Sequence, residues 1–203
     1  MKRNNAFTLA EVLLTLVIIG VISALTVPAI KKISDEHSYV AATKKAYYTL
    51  STIVKKAIAE EGPVKLWSNT DKVDFIKKRL NVVGPVPEKY DIMMLSGATS
   101  KWGEHYKTSG VLVSDGSYWR VGPSAFSASG AFGTGVQAYV MVDINGKTPP
   151  NTVGVDVHCF WIGRDGSVYP TGGGPGANTS ECAPDRNGWG CTAKIIQEGK
   201  ITW

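Results

Sequence analysis

The chain has 203 residues, of which 43% are hydrophobic, and its formal net charge is +5. This is enough apolar material for one globular domain with an appendage. Lys2 and Arg3 precede the first apolar run, and without them the positive excess falls from +5 to +3. So small an excess does not indicate a nucleic-acid-binding surface, and we expect no nucleic-acid partner.

The first predicted element is a membrane-spanning helix. No charged residue occurs over residues 12–30, and with residues 7–10 in front the run reaches the roughly 20 residues that cross a bilayer. Glu11 stands near the start of this run, and a carboxylate costs about 2.5 kcal/mol or more at the centre of a membrane-spanning helix. We therefore expect Glu11 to have a partner. Pro28 lacks an N–H group and predicts a kink or a local opening of the helix.

Two interpretations of this segment follow from its hydropathy. A cleavable secretory signal has the same basic start and apolar core, but Pro28 stands where a small residue should flank the cut. A plain membrane anchor fits the apolar run, yet it leaves both Glu11 and Pro28 unexplained.

The third interpretation rests on a family resemblance. The stretch AFTLAEVLLTLVIIGVISALTVP, residues 6–28, resembles the N-terminal motif of type IV pilins and type II secretion pseudopilins. The resemblance implies that a prepilin peptidase removes the leader, residues 1–6, and methylates the new amine of Phe7. The family usually has Gly at the position of Ala6. Phe7, Glu11 and Pro28 are then expected to serve subunit assembly, with the Glu11 carboxylate meeting the Phe7 amine of a neighbouring subunit.

Residues 31–61 are expected to continue this helix as an amphipathic segment, after a membrane or filament-core segment at 7–30. Apolar side chains recur every seven residues at Ile33, Val40, Tyr47 and Val54. His37 falls on the same stripe and is expected to be a packed core or interface residue. The opposite side carries lysines, which form either a solvated face or a contact surface for acidic partners. The sequence EEGP at 60–63 ends the helix near residue 60.

The remaining residues, 62–203, are expected to form a globular pilin-like head. A short helix is predicted over 69–80, capped by Asn69 or Thr70. Asp-Gly pairs between β-forming residues predict hairpins at 111–121 and 160–170. With a strand at 137–144, the head has about five antiparallel strands. The predicted fold class is α+β, with the long N-terminal helix covering one face of an antiparallel sheet.

The sequence contains no recognisable active site. Its three histidines lie far apart, at His37, His105 and His158, and its three cysteines lack the paired short spacing of zinc or redox motifs. The stretch CAPDRNGWGC closes a small polar loop and favours a Cys182–Cys191 disulfide, as in an exported domain. Cys159 is then expected to be buried on a strand. The alternative bridges Cys159 to one of the other two.

One Gly- and Pro-rich loop collects oxygen ligands at Asp143, Asn145, Asn151 and Asp156, which suit a hard cation such as calcium. An EF-hand-like loop requires another acidic residue near Lys147 and a glycine two positions after Gly146. Turns stabilised by Asp and Asn side chains are therefore the favoured interpretation, with calcium as the alternative. We expect no cofactor.

Together these features predict a structural subunit of a type IV pilus-like or type II secretion filament, without catalytic activity. Its expected partners are other pilin subunits, the prepilin peptidase and, before assembly, the inner membrane. The protein would cross that membrane once, with its head outside the cytoplasm, and then enter a periplasmic or cell-surface filament. The alternative is a membrane-anchored binding module, such as an adhesin or a DNA-uptake receptor.

Overall fold

A computed structural model describes residues 8–86, 90–101, 109–123, 135–174 and 181–203. The helical elements are α1 (Leu9–Glu61), a 3-10 helix (Val64–Leu66), α2 (Asn69–Lys77) and α3 (Cys191–Glu198). The strands are β1 (Val82–Pro85), β2 (Ile92–Met93), β3 (Thr99–Ser100), β4 (Gly110–Val113), β5 (Tyr118–Pro123), β6 (Val136–Asp143), β7 (Val157–Gly163) and β8 (Val168–Pro170). The chain divides into two compact units between Ser38 and Tyr39, within α1.

An antiparallel sheet of six strands, in the order β1-β4-β5-β6-β7-β8, dominates the second unit. The predicted Asp-Gly turns connect β4 to β5 and β7 to β8. Gly116 and Gly166 have φ values of 88° and 82°, which disfavour any side chain. The sheet gains β1 beyond the roughly five strands predicted, and β2 and β3 form a separate pair. The α+β fold class is confirmed.

The main core lies between residues 39–61 of α1 and one face of the sheet. Leu50, Val54 and Ala57 on the helix pack into one cluster with Val140 on β6 and Phe160 on β7, and all five side chains are fully buried. The predicted stripe therefore covers the sheet over this part of the helix.

The opposite face of the sheet is covered as well. Tyr90, Ile92, Met141, Val157 and Trp161 belong to a second buried cluster on that side. As a result every residue of β7 is buried. Apart from His158, the residues of β7 are apolar without alternation, which follows from having both faces of the sheet covered.

The boundaries of the shorter helices differ from prediction. Ser68, not Asn69 or Thr70, caps α2: its side chain accepts the Asp71 N–H at 3.1 Å, and Asp71 accepts the Ser68 N–H at 2.8 Å. This capping box fixes the start of α2, which ends at Lys77 rather than at residue 80. The helix α3 was not predicted, although Gly199, with a φ of 69°, gives it a typical C-terminal glycine.

The first unit consists of the N-terminal part of α1. Its apolar side chains are exposed, and the helix is long and apolar enough to cross a membrane, with a mean hydropathy of 2.5 over an 18-residue stretch. The helix continues through Pro28. His37 is exposed, so the expectation of a packed core residue is wrong for the single chain. The segment boundaries at residues 6, 30 and 61 stay predictions.

Candidate functional site: the N-terminal motif

Glu11 has a hydrogen-bonding partner within its own helix. Its carboxylate accepts the Thr8 backbone N–H and the Thr8 hydroxyl, each at 2.8 Å. In return, the Thr8 side-chain oxygen accepts the Glu11 N–H at 3.2 Å. This reciprocal pair is a capping box, which satisfies N–H groups that the first turn of a helix leaves unpaired. The Thr-x-x-Glu spacing at 8–11 is its sequence signal, although the capping box is not among the predictions above.

The rest of the N-terminal part of α1 presents apolar side chains to its surroundings. Leu13 and Val17 lie on one face of the helix and Ile22 on the opposite face, and their side chains are 54%, 62% and 55% exposed. The hydroxyls of Thr15 and Thr26 donate to Val12 O and Ile22 O, so these polar groups are satisfied inside the helix. An apolar surface of this extent marks contact with a membrane or with other proteins.

The predicted cleavage and methylation residues, Ala6 and Phe7, lie outside the described residues. The structure therefore places Glu11 and Pro28 on one helix, and the proposed pairing of Glu11 with the Phe7 amine of another subunit stays a prediction.

The disulfide joins Cys182 to Cys191, the pairing that the sequence favours. It ties the preceding loop to the first residue of α3. Cys159 is a free, buried thiol on β7, and burial raises its pKa to about 12. It is therefore protonated at neutral pH and not suited to nucleophilic chemistry.

His158 is a fully buried side chain that links three elements. Its Nε2 lies 2.8 Å from the Thr43 hydroxyl oxygen on α1, and its Nδ1 lies 3.5 Å from that of Thr192 on α3. The Thr43 hydroxyl also donates to Tyr39 O at 2.7 Å. Burial lowers the pKa of His158 to about 4, so the ring is neutral at physiological pH. His105 lies outside the described residues.

The predicted oxygen-rich loop contains two fully buried carboxylates, Asp143 and Asp156. Asp143 accepts the Tyr90 hydroxyl at 2.9 Å, whereas Asp156 accepts the Asn151 and Thr152 N–H groups at 2.8 and 2.6 Å. Burial first, and then the Asp156 charge, raise the pKa of Asp143 to about 8, and burial raises that of Asp156 to about 6. Asp143 also accepts the Asn145 N–H at 3.4 Å, which is a side-chain-stabilised turn of the kind that the sequence favoured.

Calcium at this loop stays a hypothesis. The Oδ1 atoms of Asn145 and Asn151 are buried without a hydrogen-bond partner among the described residues. However, the Asp156 oxygens already accept backbone N–H groups. No group of three or more His, Cys, Asp or Glu side chains within the described ranges could hold a metal ion.

A cleft of about 630 Å³ lies between α1 and the β4–β5 hairpin. Its walls include the core residues Ile53 and Trp119, and at its edge Lys45 pairs with Asp115 at 2.7 Å. Both side chains of this ion pair are exposed to solvent, so the pair contributes little to stability. Lys45, one of the lysines predicted on the side of α1 opposite the apolar stripe, is therefore in an ion pair within the same chain.

Comparisons with known proteins agree with the resemblance at the N-terminus. The prokaryotic N-terminal methylation motif matches residues 1–27. No curated protein and no solved structure matches the chain. The matched motif, which contains most of the apolar part of α1, confirms the resemblance to type IV pilins and pseudopilins, and it supports a type IV pilin-like protein that prepilin peptidase processes.

Proposed function

We propose that this chain is a structural subunit of a type IV pilus-like or type II secretion filament, assembled through its N-terminal helix. The observation that carries the proposal is the methylation motif at residues 1–27, joined to a helix with apolar side chains exposed all round. Lipid covers such a surface before assembly, and the helices of neighbouring subunits replace the lipid in a filament.

In this proposal Glu11 has two tasks. Its contacts with Thr8 hold the first turn of α1 together, and its charge offsets the Phe7 amine of a neighbouring subunit. A carboxylate has two oxygens and accepts several hydrogen bonds, so the two tasks are compatible. Pro28 supplies a position where the helix can bend or open as the subunit leaves the membrane.

The head is proposed to lie outside the cytoplasm, first at the inner membrane and then in a periplasmic or cell-surface filament. The Cys182–Cys191 disulfide supports an oxidising compartment. The proposed partners of the protein are other pilin subunits and the prepilin peptidase, and its proposed role is structural rather than catalytic.

A membrane-anchored binding module, such as an adhesin or a DNA-uptake receptor, is the second candidate. The cleft beside the Lys45–Asp115 pair favours it, because concave surfaces of about 300–1,000 Å³ commonly hold ligands. Such a protein would use the same helix as a permanent anchor and would not enter a fibre.

Fractionation of the producing cells tests both candidates. A filament subunit should appear in sheared fibres and crosslink in a ladder through α1, with an N-methylated Phe7 at its N-terminus by mass spectrometry. Deletion of the gene should remove fibres or alter their number. A chain that retains Met1, or one that is cut after Ala29, would contradict the pilin interpretation. A processed chain that stays a detergent-soluble monomer would favour the binding module.

A further inference from the structure

Thr8 is the N-cap residue of α1. Its backbone oxygen accepts the Val12 N–H at 3.2 Å, as the carbonyl of an N-cap residue does, and its side-chain oxygen accepts the Glu11 N–H at 3.2 Å. The Thr8 N–H is also engaged, because it donates to the Glu11 carboxylate at 2.8 Å. An N-cap residue has a non-helical backbone conformation, so these bonds fix the start of α1 at Leu9.

The predicted cleavage bond lies just before this helix start. It joins Ala6 to Phe7, so Thr8 is the second residue after the cut. Hydrolysis adds one water across the bond and leaves a carboxylate on Ala6 and an amine on Phe7. A helix engages its backbone N–H and C=O groups in internal hydrogen bonds, whereas an extended segment leaves them free to pair with a partner protein. A bond enclosed in a helix is therefore a poor substrate for a peptidase.

The residues around that bond do not by themselves end a helix. Ala6 has the highest helix propensity of any residue type, and residues 4–7 contain neither Gly nor Pro. Extension of α1 by one turn toward the N-terminus would enclose the Ala6–Phe7 bond. The Thr8 cap opposes this extension, because a helical Thr8 no longer places its side-chain oxygen on the Glu11 N–H.

We propose that Thr8 is a positioning residue for cleavage by prepilin peptidase: its cap ends α1 ahead of the Ala6–Phe7 bond and so presents this bond to the peptidase in an extended conformation. The inference rests on the proposed processing of the leader and adds a residue-specific cause to it. Thr8 acts through the backbone conformation and not by contact with the reacting atoms. When Glu11 is replaced, the Thr8 side-chain oxygen remains as an acceptor for the residue 11 N–H.

Cleavage of the full-length precursor by prepilin peptidase in detergent tests the proposal, with kcat/KM taken from initial rates by mass spectrometry. Thr8→Val keeps the shape of the side chain and removes its oxygen. It should lower kcat/KM by about 2- to 30-fold, the range that loss of an N-cap side chain implies. Thr8→Ser and Thr8→Asn keep a capping oxygen and should stay near the wild-type value. Thr15→Val is the matched control, because the Thr15 hydroxyl bonds to Val12 O in the same helix without capping it. The control should be cleaved at the wild-type rate.

A double-mutant cycle with Ala6→Gly tests whether helix extension is the cause. Glycine disfavours a helix relative to alanine by a factor of roughly five. Thr8→Val should therefore cost up to about fivefold less in an Ala6→Gly background than in the wild-type background. The cycle cancels any direct effect of Ala6→Gly on the peptidase. Equal costs in the two backgrounds would contradict the role of helix extension.

A further measurement on the uncleaved precursor needs no peptidase. Backbone carbon chemical shifts from NMR should show more helical structure at residues 6–8 in Thr8→Val than in the wild-type chain, and unchanged shifts would overturn the proposal. So would a wild-type cleavage rate in Thr8→Val. Cleavage of Thr8→Asn as slow as that of Thr8→Val would also overturn it, because the peptidase would then recognise the Thr8 side chain itself. A wild-type precursor that the peptidase does not cut would instead refute the proposed processing, and this inference with it.

Discussion

Substitutions at Glu11 and Thr8 separate the two tasks proposed for Glu11. Glu11→Ala removes the charge and the carboxylate that accepts from Thr8, and it keeps the bond from the residue 11 N–H to the Thr8 side-chain oxygen. Glu11→Gln keeps an oxygen acceptor for the Thr8 N–H, since Gln replaces Glu in capping boxes, but it removes the charge. Thr8→Ala removes the two capping contacts of the Thr8 hydroxyl and keeps both the charge and the backbone N–H bond to Glu11.

The expected magnitudes differ enough to be resolved. Loss of an N-cap side chain costs about 0.5–2 kcal/mol. Loss of one member of a buried ion pair costs about 3–5 kcal/mol, because the remaining amine stays buried without compensation. Since about 1.4 kcal/mol is a factor of ten, Thr8→Ala should reduce assembly moderately, whereas Glu11→Gln and Glu11→Ala should nearly abolish it. Glu11→Lys should be at least as severe, because two positive groups would meet.

The assay is the yield of sheared fibres divided by the amount of processed protein in the membrane. Mass spectrometry of the membrane pool confirms that each variant is cleaved, which matters for Thr8→Ala because it lies close to the cleavage position. Folding of the head should be unaffected, and membrane insertion should not be impaired, since removing a carboxylate from hydrocarbon makes insertion easier. Wild-type yield in Glu11→Gln, with a loss in Thr8→Ala, would refute the reasoning: Glu11 would then act through its cap alone.

Three further predictions concern the head. Replacing Cys182 and Cys191 by Ser should lower the free energy of unfolding by about 2–3 kcal/mol in denaturant titrations, whereas Cys159→Ser should leave the disulfide intact in non-reducing peptide maps. Burial lowers the pKa of His158 to about 4. The stability that the neutral ring contributes is therefore complete above pH 6.5 and is lost as the pH falls through about 4, a change of roughly 3 kcal/mol in the free energy of unfolding. Relative to His158→Gln, the wild-type chain should therefore lose stability on acidification over this range, and parallel pH profiles would contradict the burial argument. Leu50→Ala should destabilise the head by about 2–5 kcal/mol in thermal unfolding because Leu50 is fully buried, and Thr52→Ala on the exposed side of α1 is its control.

Local chemistry made much of the fold predictable. The apolar run predicted the N-terminal helix, Gly62 and Pro63 predicted its end within one residue of Glu61, and two Asp-Gly pairs predicted the β4–β5 and β7–β8 hairpins. The Thr8–Glu11 capping box was equally readable, because its four residues are adjacent in sequence. In each case the contacts that determine the element join residues that are close together in the sequence.

Short elements were less predictable. The strands β2 and β3 have two residues each, and α3 has eight, so neither propensity nor periodicity is decisive over such lengths. They form because other parts of the chain pack against them. Thr192 in α3, for example, meets His158, which is 34 residues earlier in the chain.

By itself the sequence determined the N-terminal motif, the membrane-length helix and the helix-on-sheet class, because apolar periodicity and turn residues act through neighbours along the chain. Only the tertiary structure decided which polar groups are buried together. His158 meets Thr43 across 115 residues, and Tyr90 meets Asp143 across 53. The pKa of a buried group depends on the water that distant segments exclude and on the charges that they bring close. The register of the sheet and the packing of the loops determine the excluded water and the nearby charges. The residues adjacent to Asp143 or His158 in the sequence determine neither the register nor the packing.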